Sequence, residues 1–277
     1  MTGAAEISLP RLALSYVLVL GVLVLAGRLG HRSRRVEIFL ATLRMTVQLV
    51  AAGYILEMLF AKPSWVFTLL VFLIMEGFAV GNIFSRVGVP LSPELRRVIT
   101  AGLCAGTVTV VIFFMVLILG VDPWYAPRYF IPIAGMLVGN AMTGITLGVE
   151  RLVTGISSNA ERIEGALMLG ASPGAAGQRY AREAFGAALV PTINSMVGMG
   201  IVFLPGMMTG QILSGSAPAQ AIRYQIAIML GILASVAITV YVVTDAGYRT
   251  FFTADKRLVI YSGTSAEDGW RRRSNEQ

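Results

Sequence analysis

The chain is poor in the residues on which most protein chemistry depends. Its 277 residues include one histidine, His31, one cysteine, Cys104, and two lysines, Lys62 and Lys256. A single cysteine excludes an internal disulfide, and its place in an apolar run reads as a small buried hydrophobe. One histidine, with no cluster of cysteines or carboxylates, leaves no high-affinity metal site to read, so any metal ligands are unknown. The apolar runs also hold no Ser/His/Asp set and no paired aspartates, which argues against an enzyme working within the membrane. A phosphate-binding loop needs a glycine directly before its lysine, but Lys62 follows Ala61 and Lys256 follows Asp255. By that chemistry the chain cannot hydrolyse ATP, and it binds no cofactor that its residues reveal. Charge is scarce too, at 13% of residues where soluble domains carry about 25%.

What is abundant is apolar surface, at 56% of residues, and this makes the chain a membrane protein. Its formal net charge of +7 is the excess expected of loops facing the cytoplasm. No basic stretch is interleaved with aromatics, so nucleic acid is not a partner. The fold class expected is all-α and polytopic, because a spanning helix needs roughly 20 mainly apolar residues. Seven such segments occur, near 10–29, 38–60, 65–84, 98–120, 129–149, 186–212 and 224–246. Glu6 and Arg11 precede the first apolar core while Arg28, Arg32, Arg34 and Arg35 follow it. That order suits a retained span with its N-terminus outside better than a cleavable signal. Alternation then puts the loops near 30, 90 and 165 and the C-terminal tail in the cytoplasm. These segments hold 17 of the 22 basic residues, which satisfies the positive-inside rule at every loop. Residues 1–249 are thus expected to form the transmembrane domain. Residues 250–277, ending "WRRRSNEQ", read as a short cytoplasmic tail that meets lipid headgroups or a partner.

The cytoplasmic segment from about 150 to 183 is the longest between spans. Ser158 and Glu161 have capping-box spacing, and a helix from there places Ala160, Ile163 and Leu167 on one face. Gly170 is positioned to end that helix in a left-handed conformation. Ser172 then caps a second helix whose first residue is Pro173. The pattern leaves Leu167, Met168 and Leu169 in the open. Either lipid headgroups or a partner protein must cover them.

The motifs add a resemblance. "EGALMLGAS" followed by arginines and "ALVP" resembles the cytoplasmic loop by which ABC-transporter permeases dock in a cleft of their ATPase. The chain as a whole is similar to the seven-span permease family of bacterial iron exporters and plant aluminium-tolerance permeases. The matching stretches are "LRMTVQLVAAGYIL" (43–56), "IPIAGMLVGNAMTG" (131–144), "EGALMLGASP" (164–173), "AALVPTINS" (187–195), "LPGMMTGQILSG" (204–215) and "AIRYQI" (221–226). The resemblance implies a homodimeric permease in the bacterial inner membrane, paired with a separate ATPase subunit that binds ATP and Mg. It implies export of iron or a related metal species, and coupling through Glu164, Leu167, Met168, Leu169, Gly170, Ala171 and Ser172. An importer, a permease for lipid or sugar conjugates, and a secondary transporter with no ATPase remain alternatives.

Polar residues within the spans are the candidates for a pathway. Arg44 and Glu76 fall at matched depths of roughly 9–12 Å on antiparallel spans, so an ion pair between them is expected. Gln48 lies one turn after Arg44 on the same face. The fifth span carries Gly135-x-x-x-Gly139 and Gly144-x-x-x-Gly148, spacing suited to close helix packing, with Asn140 and Met142 between them. In the sixth, Pro191 and Pro205-Gly206 interrupt a stretch longer than one crossing needs, which predicts a break over 203–210. Asn194, Met196, Met199, Met207, Met208 and Gln211 cluster there. Their thioethers suit either a soft metal path or ordinary apolar filling.

Overall fold

A computed structural model describes residues 8–28 and 32–260 of the chain, and the side chains among these from residue 35 onward in the second segment. His31 and the "WRRRSNEQ" segment lie outside the described residues. The described chain is helical throughout, with two isolated bridges and no strand. Six helices are long and apolar enough to cross a membrane. They are α1 (Leu9–Arg28), α2 (Arg32–Ala61), α3 (Trp65–Arg86), α4 (Pro93–Phe113, prolonged by a π-helical stretch Phe114–Leu119), α5 (Pro127–Ser157) and α9 (Pro218–Gly247). Between the last two come α6 (Ala160–Met168), α7 (Pro173–Gly198) and α8 (Gly206–Leu213).

The stretch read as a single span over 186–212 is therefore two helices. Its first half is the end of α7, which starts 13 residues earlier with the polar turns around Gln178, Arg179, Arg182 and Glu183. The break falls at 199–205, upstream of the predicted 203–210, and residues 206–210 are helical. The cause is local. Gly200 takes φ +83°, where side chains are strained, and its N–H donates to the Phe203 carbonyl at 2.9 Å. Pro205 then stands at the cap of α8 instead of interrupting a helix.

The core is built around α5, which packs against α3, α4, α7 and α9. Small residues set the spacing. On α5, a Cβ at Gly144 would lie 2.7 Å from Val236, and one at Gly148 3.2 Å from Val240, both on α9. The second expected glycine pair is thus a packing motif. Of the first pair, Gly135 faces Met75 while nothing lies within 4 Å of a Cβ at Gly139. An unforeseen pair does the same work on α4, where Gly102 meets Val243 and Gly106 meets Thr239. So α9 seats against two glycine stripes, and its buried Thr239 and Thr244 donate to their own helix, to Ser235 and Val240 at 2.7 and 2.8 Å. By contrast, α1 buries no residue and touches α2, where Tyr16 and Thr46 hydroxyls meet at 2.7 Å. Its apolar side chains face outward, as lipid contact requires.

Two boundaries change the reading of the loops. Because α5 runs on to Ser157 and α7 begins at Pro173, the linker read as 150–183 is really 158–172. The early residues of the expected tail also pack back. Phe251 is buried, and a Cβ at Gly177 of α7 would lie 2.9 Å from the Phe252 ring.

Candidate functional site

The linker holds a rigid projection. The expected capping box does not form, since Ser158 keeps helical angles at the end of α5 and Asn159 takes the cap position of α6. The Asn159 side-chain amide donates backward instead, to the Gly155 carbonyl at 2.8 Å. The far end of α6 closes as predicted. Gly170 takes φ +91°, its N–H donates to Leu167, and the Ala171 N–H reaches Ala166, both at 3.0 Å. These are the paired bonds of a Schellman turn. Ser172 then accepts from the Ala175 N–H at 3.2 Å, with Pro173 as the first residue of α7.

Ile163 anchors the projection at 2% exposure, and Leu167 is half-buried against the core. The exposed knob is therefore Met168 and Leu169, at 85% and 92%, not the expected trio including Leu167. The period of α6 explains this, because Leu167 falls one turn after Ile163 on the packed face. Glu164 and Ser172 stand exposed on either side, and Ala171 is partly covered.

The expected ion pair is absent. The Arg44 guanidinium lies over the Phe78 ring at 4.9 Å, and Arg44 and Gln48 are both exposed. Glu76 is buried at 4% exposure, with its Oε1 against the Thr107 hydroxyl, Cys104 alongside and its Oε2 without a partner. Two sequence-matched depths therefore did not translate into a shared azimuth, which periodicity on separate helices does not specify. We expect the exchange Arg44→Glu with Glu76→Arg to yield no more folded protein in the membrane than Glu76→Arg alone. Recovery in the double variant would reinstate the pair.

Other polar candidates line the outside of α5 and its neighbours. Asn140 and Thr143 are exposed on α5, donating to Met136 at 2.8 Å and Gly139 at 3.1 Å, and Asn194 is exposed on α7. α5 contacts both α2 and α7, so the helices bearing Arg44, Asn140 and Asn194 are neighbours. Met142, Met196, Met199 and Met207 pack against the core, which favours filling over ligation for these four. Met199 also accepts from the Gln225 side-chain amide at 3.8 Å. Met208 and Gln211 are half-buried on α8, and Pro205 precedes them. Among the described residues no group of three or more His, Cys, Asp or Glu could hold a metal.

A family match covers residues 9–252, from the first turn of α1 to the ring packed on α7. The chain belongs to the uncharacterised protein family UPF0014. The UPF0014 membrane protein slr1647 of Synechocystis is 38% identical over 217 residues, covering 78% of this chain and 83% of its own. The probable iron export permease protein FetB of Escherichia coli is 32% identical, over 89% of this chain and 94% of its own. Protein ALUMINUM SENSITIVE 3 of Arabidopsis thaliana is also 32% identical, over 90% and 88%. No solved structure matches. This UPF0014 chain is accordingly a multi-pass membrane protein with a relative named as a probable iron export permease. What sequence reasoning missed is the Glu76–Thr107–Cys104 contact and the α4 glycine pair, although the "GLCAG" spacing at 102–106 was there to find.

Proposed function

We propose that this chain is the permease subunit of an ABC-type transporter of the bacterial inner membrane, exporting iron or a related metal species. Two copies pair with two ATPase subunits, which bind the ATP and Mg. Each copy crosses seven times, with α7 and α8 together forming the sixth crossing, the N-terminus outside and the C-terminus in the cytoplasm. The observation that carries this reading is the Met168–Leu169 knob. Two large apolar side chains are held out of the fold on a turn fixed by Gly170, on the linker between two long packed helices. A turn built so firmly to expose apolar surface fits a protein cleft better than a fluid headgroup layer. The exposed polar groups on α2, α5 and α7 need either water or a second copy beside them in the membrane. They supply the candidate pathway, with Arg44, Gln48, Asn140 and Asn194 as its first members. The metal cargo is suggested by FetB, a relative over most of both chains.

Purification of the full chain from its native membranes tests the pairing, since an ATPase should come with it. A chain that purifies alone and transports on an ion gradient is a secondary transporter instead. Cells lacking the protein should accumulate iron, and unchanged content would remove iron as cargo. Replacing both Met207 and Met208 by Leu conserves volume, at a cost below about 1.5 kcal/mol per site. We expect normal assembly and a melting temperature close to the parent. Lost transport in that otherwise intact variant would restore the thioethers as metal ligands.

A further inference from the structure

The contact between Glu76 and Thr107 poses a question of proton accounting. The Thr107 oxygen meets Glu76 Oε1 and also lies 2.7 Å from the Leu103 carbonyl of its own helix. A threonine hydroxyl has one hydrogen. If that hydrogen goes to Glu76, two acceptor oxygens are left facing each other across the Leu103 contact. If it goes to Leu103, as the other threonines of these helices donate, then Glu76 must supply the hydrogen between itself and Thr107. Each contact has a hydrogen of its own, with none shared, when Glu76 is a carboxylic acid that donates to Thr107, which in turn donates to Leu103.

The surroundings agree. Glu76 is buried in the middle of α3, no cation pairs with it among the described residues, and its second oxygen is buried without a partner. An ionised carboxylate with a bare oxygen is costly in that setting, whereas the bare carbonyl of a neutral acid costs much less. The titratable side chain facing it is Cys104 of α4. From α2, Arg44 stops at the Phe78 ring, and α5 keeps Arg128, Glu150 and Arg151 in its terminal turns.

We infer that Glu76 is a proton-binding site, occupied while α3 and α4 are packed together. A surface groove of about 390 Å³ lined by Phe84, Arg96, Arg97, Thr100, Ala101 and Cys104 lies beside the site, with Cys104 common to both. The site does not depend on what the chain transports.

Infrared spectroscopy of the full chain in lipid nanodiscs at neutral pH tests it, since a protonated carboxyl and a carboxylate absorb at different frequencies. The wild type minus Glu76→Gln spectrum should show one protonated-acid carbonyl band, sensitive to D2O. Thr107→Val removes the acceptor hydroxyl and should shift that band to higher frequency without abolishing it. Glu76→Gln exchanges one neutral group for another of the same shape, so it should melt with the wild type. A difference spectrum showing carboxylate bands would overturn the assignment, and so would a large loss of stability in Glu76→Gln.

Discussion

Leu169→Asp should abolish the association of this permease with the proposed ATPase subunit while leaving the membrane helices folded. Leu169 is 92% exposed and Met168 85%, so neither supports the fold of the isolated chain. Burying a large apolar side chain contributes about 1.5–3 kcal/mol, equivalent to roughly a 10–150-fold change in affinity. A carboxylate at the centre of such a contact must also be desolvated, which takes the loss beyond a hundredfold. Leu167→Asp should act differently. Because Leu167 packs against the core, its substitution should lower the yield of folded protein as well as docking. Gly170→Val should also impair docking, because a β-branched residue resists φ +91° and the turn that aims the knob would relax. Pull-down of the ATPase by each variant, beside size-exclusion profiles of the permeases, separates the two effects. Normal capture by Leu169→Asp would make α6 a lipid-surface helix.

The second large effect concerns the seat of α9. Gly106→Val with Gly144→Val should collapse the yield of folded protein, whereas Gly139→Ala should be silent. A Cβ at Gly144 falls 2.7 Å from Val236, and one at Gly106 meets Thr239, whose backbone stands only 3.3 Å away. Backbone cannot rotate aside, so the helices must part. Overpacking typically costs about 1–3 kcal/mol per site, and here both flanks of α9 are affected. Between membrane helices the loss is direct, because close van der Waals contact is the main attraction there. Melting followed by size-exclusion in detergent measures this. A double variant as stable as the parent would mean that α9 is held by something other than these stripes.

Composition and periodicity reached the helical class, the extent of most spans, the Gly170 turn and the Ser172–Pro173 start of α7. Each is encoded locally, in a residue whose conformational preference acts where it stands. The failures share the opposite cause. Arg44 and Glu76 match in depth, but which way each side chain faces depends on how α2 and α3 pack, and no single-helix pattern records that. Ser158 and Glu161 have the spacing of a cap, yet Ser158 keeps helical angles as the C-cap of α5, with Gly155 against the ring of Tyr180 on α7. Pro205-Gly206 announced a break correctly, but the turn itself rests on Gly200, five residues before Pro205, and its bond to Phe203. Leu167 looked as exposed as its neighbours because hydropathy does not say which face of a nine-residue helix finds the core.

Reconstitution of the permease with the proposed ATPase in inside-out vesicles tests the coupling most directly. With iron outside, ATP should drive uptake into the vesicles only when both subunits are present. Leu169→Asp should remove ATP-driven uptake and permease-stimulated hydrolysis together. Uptake that proceeds without the ATPase on an ion gradient, or survives unchanged in Leu169→Asp, would contradict an ATP-coupled permease working through this turn.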